Sequence, residues 1–227
     1  MEEYPRTEEL RNIFQRVGAE HGYETVEAEF MAFTDVKVRW QRSYGWIDFR
    51  ISDYLTEAPA DALEGLAENL FDRLEGKDTE YSPILKEWLT SQEFIEKNQQ
   101  NYLERCIGYQ GTAKGKHKDL NESMKRLQDA GLIGDLPGVY LTWEDNLSQK
   151  MGHCSVLMKA VAINDLLDDE DVPDYVLDYC LYRELLHIQI GYNPDGLAHE
   201  EEFQTKCQDY KMQDEADSWL RSRAAYA

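Results

Sequence analysis

The chain has no apolar run approaching the roughly 18 residues that a membrane-crossing helix requires. Basic residues are scarce, with 24 against 45 acidic ones, for a formal net charge of −21. Attachment to phosphate-rich surfaces needs Lys and Arg, so this field opposes nucleic acid and anionic membranes as partners. Cysteine is sparse as well: Cys106, Cys154, Cys180 and Cys207 are widely spaced, with no C-x-x-C pair. That spacing fits reduced, partly buried thiols. The opening Met1-Glu2-Glu3-Tyr4-Pro5 lacks the basic start and apolar stretch of a secretory signal, so a cytoplasmic protein is expected. No internal repeat or low-complexity segment stands out.

What is present suits a globular protein. Hydrophobic residues make up 42% of 227, with five tryptophans, enough for one full core or a core with a small appended module. Leu10, Ile13, Phe14 and Val17 predict a helix starting near Thr7 as N-cap. Val36 to Trp40 and Ile47 to Ile51 alternate around Ser43-Tyr44-Gly45, as a hairpin with one buried face does. Pro59 opens an amphipathic helix carrying Leu63, Leu66, Ala67, Leu70, Phe71 and Leu74, closed by Gly76. Residues 83–106 read as helix in two pieces, and Leu120 to Ala130 as a short helix.

Val139 to Trp143 and Val156 to Ile163 read as strands. Pro173 starts a helix to about Ile190, and His199 to Tyr210 forms another, anchored by Phe203. Residues after Lys211 are polar and expected to be peripheral. The only basic cluster spans 114–126, with Lys114, Lys116, His117, Lys118, Lys125 and Arg126. Followed by Gly131-Leu132-Ile133-Gly134 and a strand, it is also the arrangement of a winged-helix DNA-binding module, so a nucleic-acid-associated protein is an alternative that the net charge argues against.

The chemistry concentrates in Leu181-Tyr182-Arg183-Glu184-Leu185-Leu186-His187. This is the zinc-peptidase signature H-E-x-x-H with Arg183 in place of the first His. In the intact signature two imidazoles one turn apart hold Zn²⁺ and the Glu activates the metal-bound water. Arginine stays protonated and offers no lone pair, so Arg183 cannot be a ligand. The helix around it is apolar on most of its circumference, yet Arg183, Glu184 and His187 fall in one arc of roughly 100°. Burying three ionisable groups is costly unless they are paired, hydrated or coordinated, so the arc reads as a cavity floor. His199, twelve residues after His187 across a Gly/Pro-containing loop, can present a further imidazole.

From about Ser148 to Tyr210 the chain resembles the SprT-like and YgjP-like zinc metallopeptidases of gluzincin type. The resemblance rests on Met151-Gly152-His153-Cys154, Ala162-Ile163-Asn164, Val172-Pro173-Asp174, Arg183-Glu184-Leu185-Leu186-His187 and His199-Glu200-Glu201-Glu202-Phe203, in that order. It implies Glu184 as general base, His187 and His199 as zinc ligands, and Arg183 at the altered ligand position. His153 is the candidate to replace the missing ligand. The expectation is an α+β fold in which a small, mostly antiparallel sheet packs on helices around a zincin-like core. It divides into an N-terminal part (1–110), a basic helical insertion (111–138) and a metallopeptidase-like core (139–227). The function expected is that of a degenerate metallopeptidase with weak or no proteolysis that binds a protein or peptide segment. An active zinc peptidase with a rearranged ligand set is the alternative. The Arg183 guanidinium is expected to occupy the metal's place and pair with a carboxylate.

Overall fold

The structure is a computed structural model that describes residues 4–145, 150–193 and 197–224, with the backbone alone at 197–200 and 224. It forms two compact units, one ending at Asn98 and the other starting at Gln99. The first contains α1 (Thr7–Glu20), β1 (Thr25–Met31), β2 (Val38–Ser43), β3 (Trp46–Ser52), a 3-10 turn (Asp53–Leu55), α2 (Ala60–Leu74), α3 (Pro83–Leu89) and the start of α4 (Gln92–Arg105). Its sheet runs β1-β3-β2, with β3 parallel to β1 and antiparallel to β2. Phe49 of β3 meets Phe14 of α1 at 5.1 Å and Phe71 of α2 at 5.3 Å between ring centroids, so both helices cover one sheet face.

The second unit contains α5 (Leu120–Asp129), β4 (Tyr140–Glu144), β5 (Gly152–Ser155), β6 (Ala160–Asn164), a 3-10 turn (Asp165–Leu167), α6 (Asp174–Ile190), α7 (Leu197–Cys207) and α8 (Gln213–Ala224). Its sheet runs β4-β6-β5, with β6 parallel to β4 and antiparallel to β5. The apolar side chains of α5, β4, β6 and α6 form one core, in which Trp143 is fully buried and its indole N–H donates to the Ala113 carbonyl at 2.9 Å.

The two units therefore repeat one design: helix, strand, two hairpin strands with the last in the middle, 3-10 turn, proline-capped helix. The repetition reaches individual bonds. Ser52 ends β3, donates its N–H to the Lys37 carbonyl and its hydroxyl to the Asp35 carbonyl. Asn164 ends β6, donates its N–H to the Met151 carbonyl and its amide to the Lys150 carbonyl. Around these residues the chain reads Ile51-Ser52-Asp53-Tyr54-Leu55 with Pro59 beyond, and Ile163-Asn164-Asp165-Leu166-Leu167 with Pro173 beyond. Pro59 and Pro173 are the N-cap residues of α2 and α6. Too few side chains are shared for the residue pattern to reveal the duplication, which lives in topology and in this corner.

The α+β expectation holds, but one mostly antiparallel sheet does not: the described residues form two sheets, each mixed. The missed strand is β1, where Val26, Ala28 and Phe30 are buried between glutamates. It pairs in parallel with β3 by a crossover that no local pattern announces. The single strand expected over 156–163 is a hairpin, because residues 156–159 turn, with Lys159 at φ 45°. The tail beyond Lys211 is not peripheral either. It forms α8, which buries Ala216 and packs Trp219 and Leu220 on the α6 core. The segment 111–138, set apart in sequence, supplies α5, the first helix of the second repeat.

The basic cluster is built into that repeat. Asp168 accepts the backbone N–H groups of Lys116, His117 and Lys118 at 2.6, 2.9 and 2.8 Å. A Cβ at Gly115 would collide with the Asp168 carboxylate, so only glycine lets the loop close around it. Lys118 pairs with Asp174 at 2.7 Å, His117 with Glu170 at 3.2 Å, and Arg126 grips Asp178 at 2.6 and 2.8 Å. Half of the apparent nucleic-acid patch is thus neutralised by acidic residues of its own unit. Partial burial pushes the Asp168 carboxyl up, but the three N–H donors outweigh it and hold the group below its usual range. A depressed folded-state value stabilises above the unfolded carboxylate range and is lost as pH falls through the folded value. Asp168→Ala should therefore cost about 1–3 kcal/mol at pH 7, measured by urea unfolding. The difference from the parent should shrink below about pH 4.

Candidate functional site

The polar arc of α6 lies beside a cavity of about 640 Å³, within the usual size range of ligand sites. Its walls include Gly152 and Cys154 of β5, Cys180, Arg183, Glu184 and His187 of α6, and Leu220 of α8. Strand alternation turns Gly152 and Cys154 towards α6, and His153 also lines the cavity. Gly152 is needed here. A Cβ would stand 2.9 Å from the Ile163 side chain and 3.1 Å from the Glu184 stem.

Glu184 and the Cys154 thiol share the cavity wall. Burial raises the Glu184 carboxyl above its ordinary value, outweighing the opposing influence of Cys154 and the charges of Arg183 and Lys150. Burial likewise pushes Cys180 up to about 12, and Cys154 rises through burial and the neighbouring Glu184 carboxylate. Both thiols are protonated at neutral pH, so neither is a ready nucleophile.

His187 lies flat on Phe203 of α7, with ring centroids 4.1 Å apart and planes 6° from parallel. Phe203 is buried, as its expected anchoring role requires. The Arg183 guanidinium carbon sits 5.8 Å from the ring centroids of both Tyr179 and Phe203. Among the described residues no carboxylate pairs with Arg183, and the Glu200 side chain lies outside them. Arg183 and Glu184 are successive residues, pointing about 100° apart on the helix, and the long side chain reaches the surface across aromatic rings.

His153 lines the same cavity, and its ring nitrogens are both engaged. Its Nε2 is 2.9 Å from the Tyr109 hydroxyl and its Nδ1 is 3.1 Å from Glu144. The His199 side chain lies outside the described residues. The structure thus brings His153, Arg183, Glu184 and His187 to one cavity. Cys154, which sequence reasoning treated as a buried apolar residue, emerges beside Glu184 on the cavity wall. Its signal was the two-residue offset from Gly152, which puts both on one strand face.

The first repeat clarifies α6. At equal distances from the capping proline, α2 carries Asn69, Leu70 and Arg73 where α6 carries Arg183, Glu184 and His187. Asn69 donates to the carbonyls of Thr79 and Glu80 at 2.9 and 3.0 Å, and Arg73 stacks 4.6 Å over Tyr81. In both units these two positions fasten the chain that returns after the helix. The strand-end and proline elements of the metallopeptidase resemblance also recur in the first unit, so they belong to the fold and are not specific to a site.

Among the described residues, one group of three ligating side chains comes within 4.8 Å, and it lies in the first unit: His21, Asp72 and Glu75. Lys77 stands 2.7 Å from Asp72 and 2.9 Å from Glu75, while His21 Nδ1 lies 2.7 Å from Glu75. An ammonium group already takes the cation's role there. Sequence could not have assembled these residues, because His21 lies at the end of α1, some 50 positions from the others.

No family model, curated protein or solved structure matches the chain.

The raised Glu184 carboxyl has a signed consequence. A folded-state value above the unfolded one favours folding at low pH, and that contribution is lost as pH rises through the folded value. Glu184→Gln removes the charge and keeps the shape. It should raise the melting temperature by on the order of 2 °C at pH 7.5 and leave it unchanged at pH 4. Equal melting shifts at both pH values would mean that the carboxyl is not the source.

Proposed function

We propose that the cavity on α6 binds a segment of a protein or peptide without hydrolysing it, as a metallopeptidase-like site stripped of its metal chemistry. The observation that carries this is the cavity wall itself, where Arg183 takes the first ligand position beside Glu184 and His187. A Glu in such a site acts as base on a water that a metal holds, and Arg183 offers that metal no lone pair.

The ligand set points the same way. A catalytic zinc takes three protein ligands and one water. Arg183 has no lone pair and His153 is committed to Tyr109 and Glu144, which leaves His187 as the one candidate of the expected ligand set among the described side chains. One imidazole falls short of three ligands, so these residues do not fit zinc, and no hydrolytic step follows from them. The cavity fits a partner that offers apolar surface to Met151 and Leu220 and a hydrogen-bonding group to Glu184, with Arg183 at the rim to meet a carboxylate.

Metal analysis of untagged protein should find no stoichiometric zinc, and incubation with denatured casein should yield no cleavage. Arg183→His supplies the second imidazole at i, i+4 to His187. It should bind zinc at least about tenfold more tightly than the parent in calorimetry. Equal, tight binding by both proteins, or casein cleavage that Glu184→Gln abolishes, would overturn the proposal in favour of an active peptidase with a rearranged ligand set.

A further inference from the structure

The first unit carries an acid-free basic stretch on an edge strand. From Val36 to Ile47 there are three cations, Lys37, Arg39 and Arg42, and no acid, in a protein whose acidic residues outnumber basic ones 45 to 24. Among the described residues none of the three makes an ion pair. They lie on aromatic faces instead: Lys37 and Arg39 are 5.1 and 5.3 Å from the Phe33 centroid, and Arg42 is 5.7 Å from that of Trp40. Trp40 is 48% exposed and Tyr44 at the hairpin tip is fully exposed.

These residues sit on and beside β2, the edge strand of the β1-β3-β2 sheet, which is exposed from Arg39 to Ser43. Ser43 faces Trp46 across a two-residue turn, and the Lys37 carbonyl accepts from the Ser52 N–H at 3.0 Å. That parity assigns the ladder with β3 to Lys37, Arg39, Gln41 and Ser43. Val38, Trp40 and Arg42 consequently turn their N–H and C=O groups away from the sheet. The edge offers an open row of backbone donors and acceptors, with cations and a half-exposed indole along it. Charge alone would blunt such an edge against pairing. The indole supplies the apolar anchor that a blunted edge lacks.

We propose that β2 is a docking edge for an extended acidic polypeptide segment, which adds as a further strand. Main-chain bonds to Val38, Trp40 and Arg42 would hold it, carboxylates would meet Lys37, Arg39 and Arg42, and an apolar residue would lie on Trp40. Charge complementarity selects this occupant. Three unpaired cations in a strongly acidic protein match a short acidic strand. They neutralise too few phosphates to hold nucleic acid against the field of the whole chain.

The test uses the full chain and a fluorescein-labelled peptide alternating Glu with Val and Tyr, followed by anisotropy. Saturable binding is expected, weakened at least tenfold by Lys37→Glu/Arg39→Glu. Val38→Pro should weaken it as well: it deletes an outward N–H at an edge position where proline is tolerated. The same peptide N-methylated at alternate amides should not bind, nor should its Lys-for-Glu counterpart or an oligo-dT of equal charge. The proposal is overturned if no peptide binds, if the N-methylated peptide binds as well as the parent, or if the oligo-dT binds more tightly. Should the double variant fail to fold by circular dichroism, the paired peptides decide alone, because they leave the protein unchanged.

Discussion

Each unit depends on the corner where its central strand ends. Ser52 and Asn164 tie the last residue of that strand back to the segment entering the hairpin, through a main-chain and a side-chain bond. The same residue begins the 3-10 turn that leads to a proline in extended conformation, at ψ 147° for Pro59 and 142° for Pro173. An extended proline immediately before the first helical residue fixes the angle at which α2 or α6 leaves the corner. From that angle follow the helix face laid on the sheet and the face turned towards the returning chain. The polar residues of α6 are arranged by this corner before any chemistry is asked of them.

This explains what could be read from the residues alone. Pro59, Gly76 and Pro173 punctuate helices by local backbone physics, so α2 and α6 were legible at both ends or nearly so. The β2–β3 hairpin was legible because Tyr44-Gly45 is a local turn between alternating runs. Strand β1 was not, since its pairing with β3 is parallel and non-local and its glutamates mask a short apolar set. Strand β5 failed for another reason. Gly152-His153-Cys154-Ser155 has little strand propensity and is held by packing under α6. The duplication escaped because topology can persist while side chains diverge.

The candidate site was legible as a place on α6. Three ionisable residues on a nearly all-apolar helix do demand compensation. Among the described residues Arg183 and His187 lie on aromatic faces, and Glu184 sits beside Cys154 with its carboxyl raised by burial. Helix periodicity locates residues on an arc but says nothing of what the next helix brings to meet them. Here Phe203 decides the roles of both Arg183 and His187, as Tyr81 does for Arg73 in the first repeat.

The same fold element is used differently in the two repeats. In the second unit the first hairpin strand, β5, is short and half-buried, and it contributes Gly152 and Cys154 to a cavity wall. In the first the matching strand, β2, is longer and exposed. The acidic excess makes that difference consequential. In the second unit Lys118 and Arg126 are neutralised by Asp174 and Asp178. Lys37, Arg39 and Arg42 are spared this because their neighbours on the strand are Trp40, Gln41 and Ser43, and because the rings of Phe33 and Trp40 occupy them instead. A cation resting on a ring keeps its charge directed outward and gives up little on meeting a carboxylate. One repeat thereby spends its polar groups on holding itself together, while the other leaves a charged, backbone-open edge facing solvent.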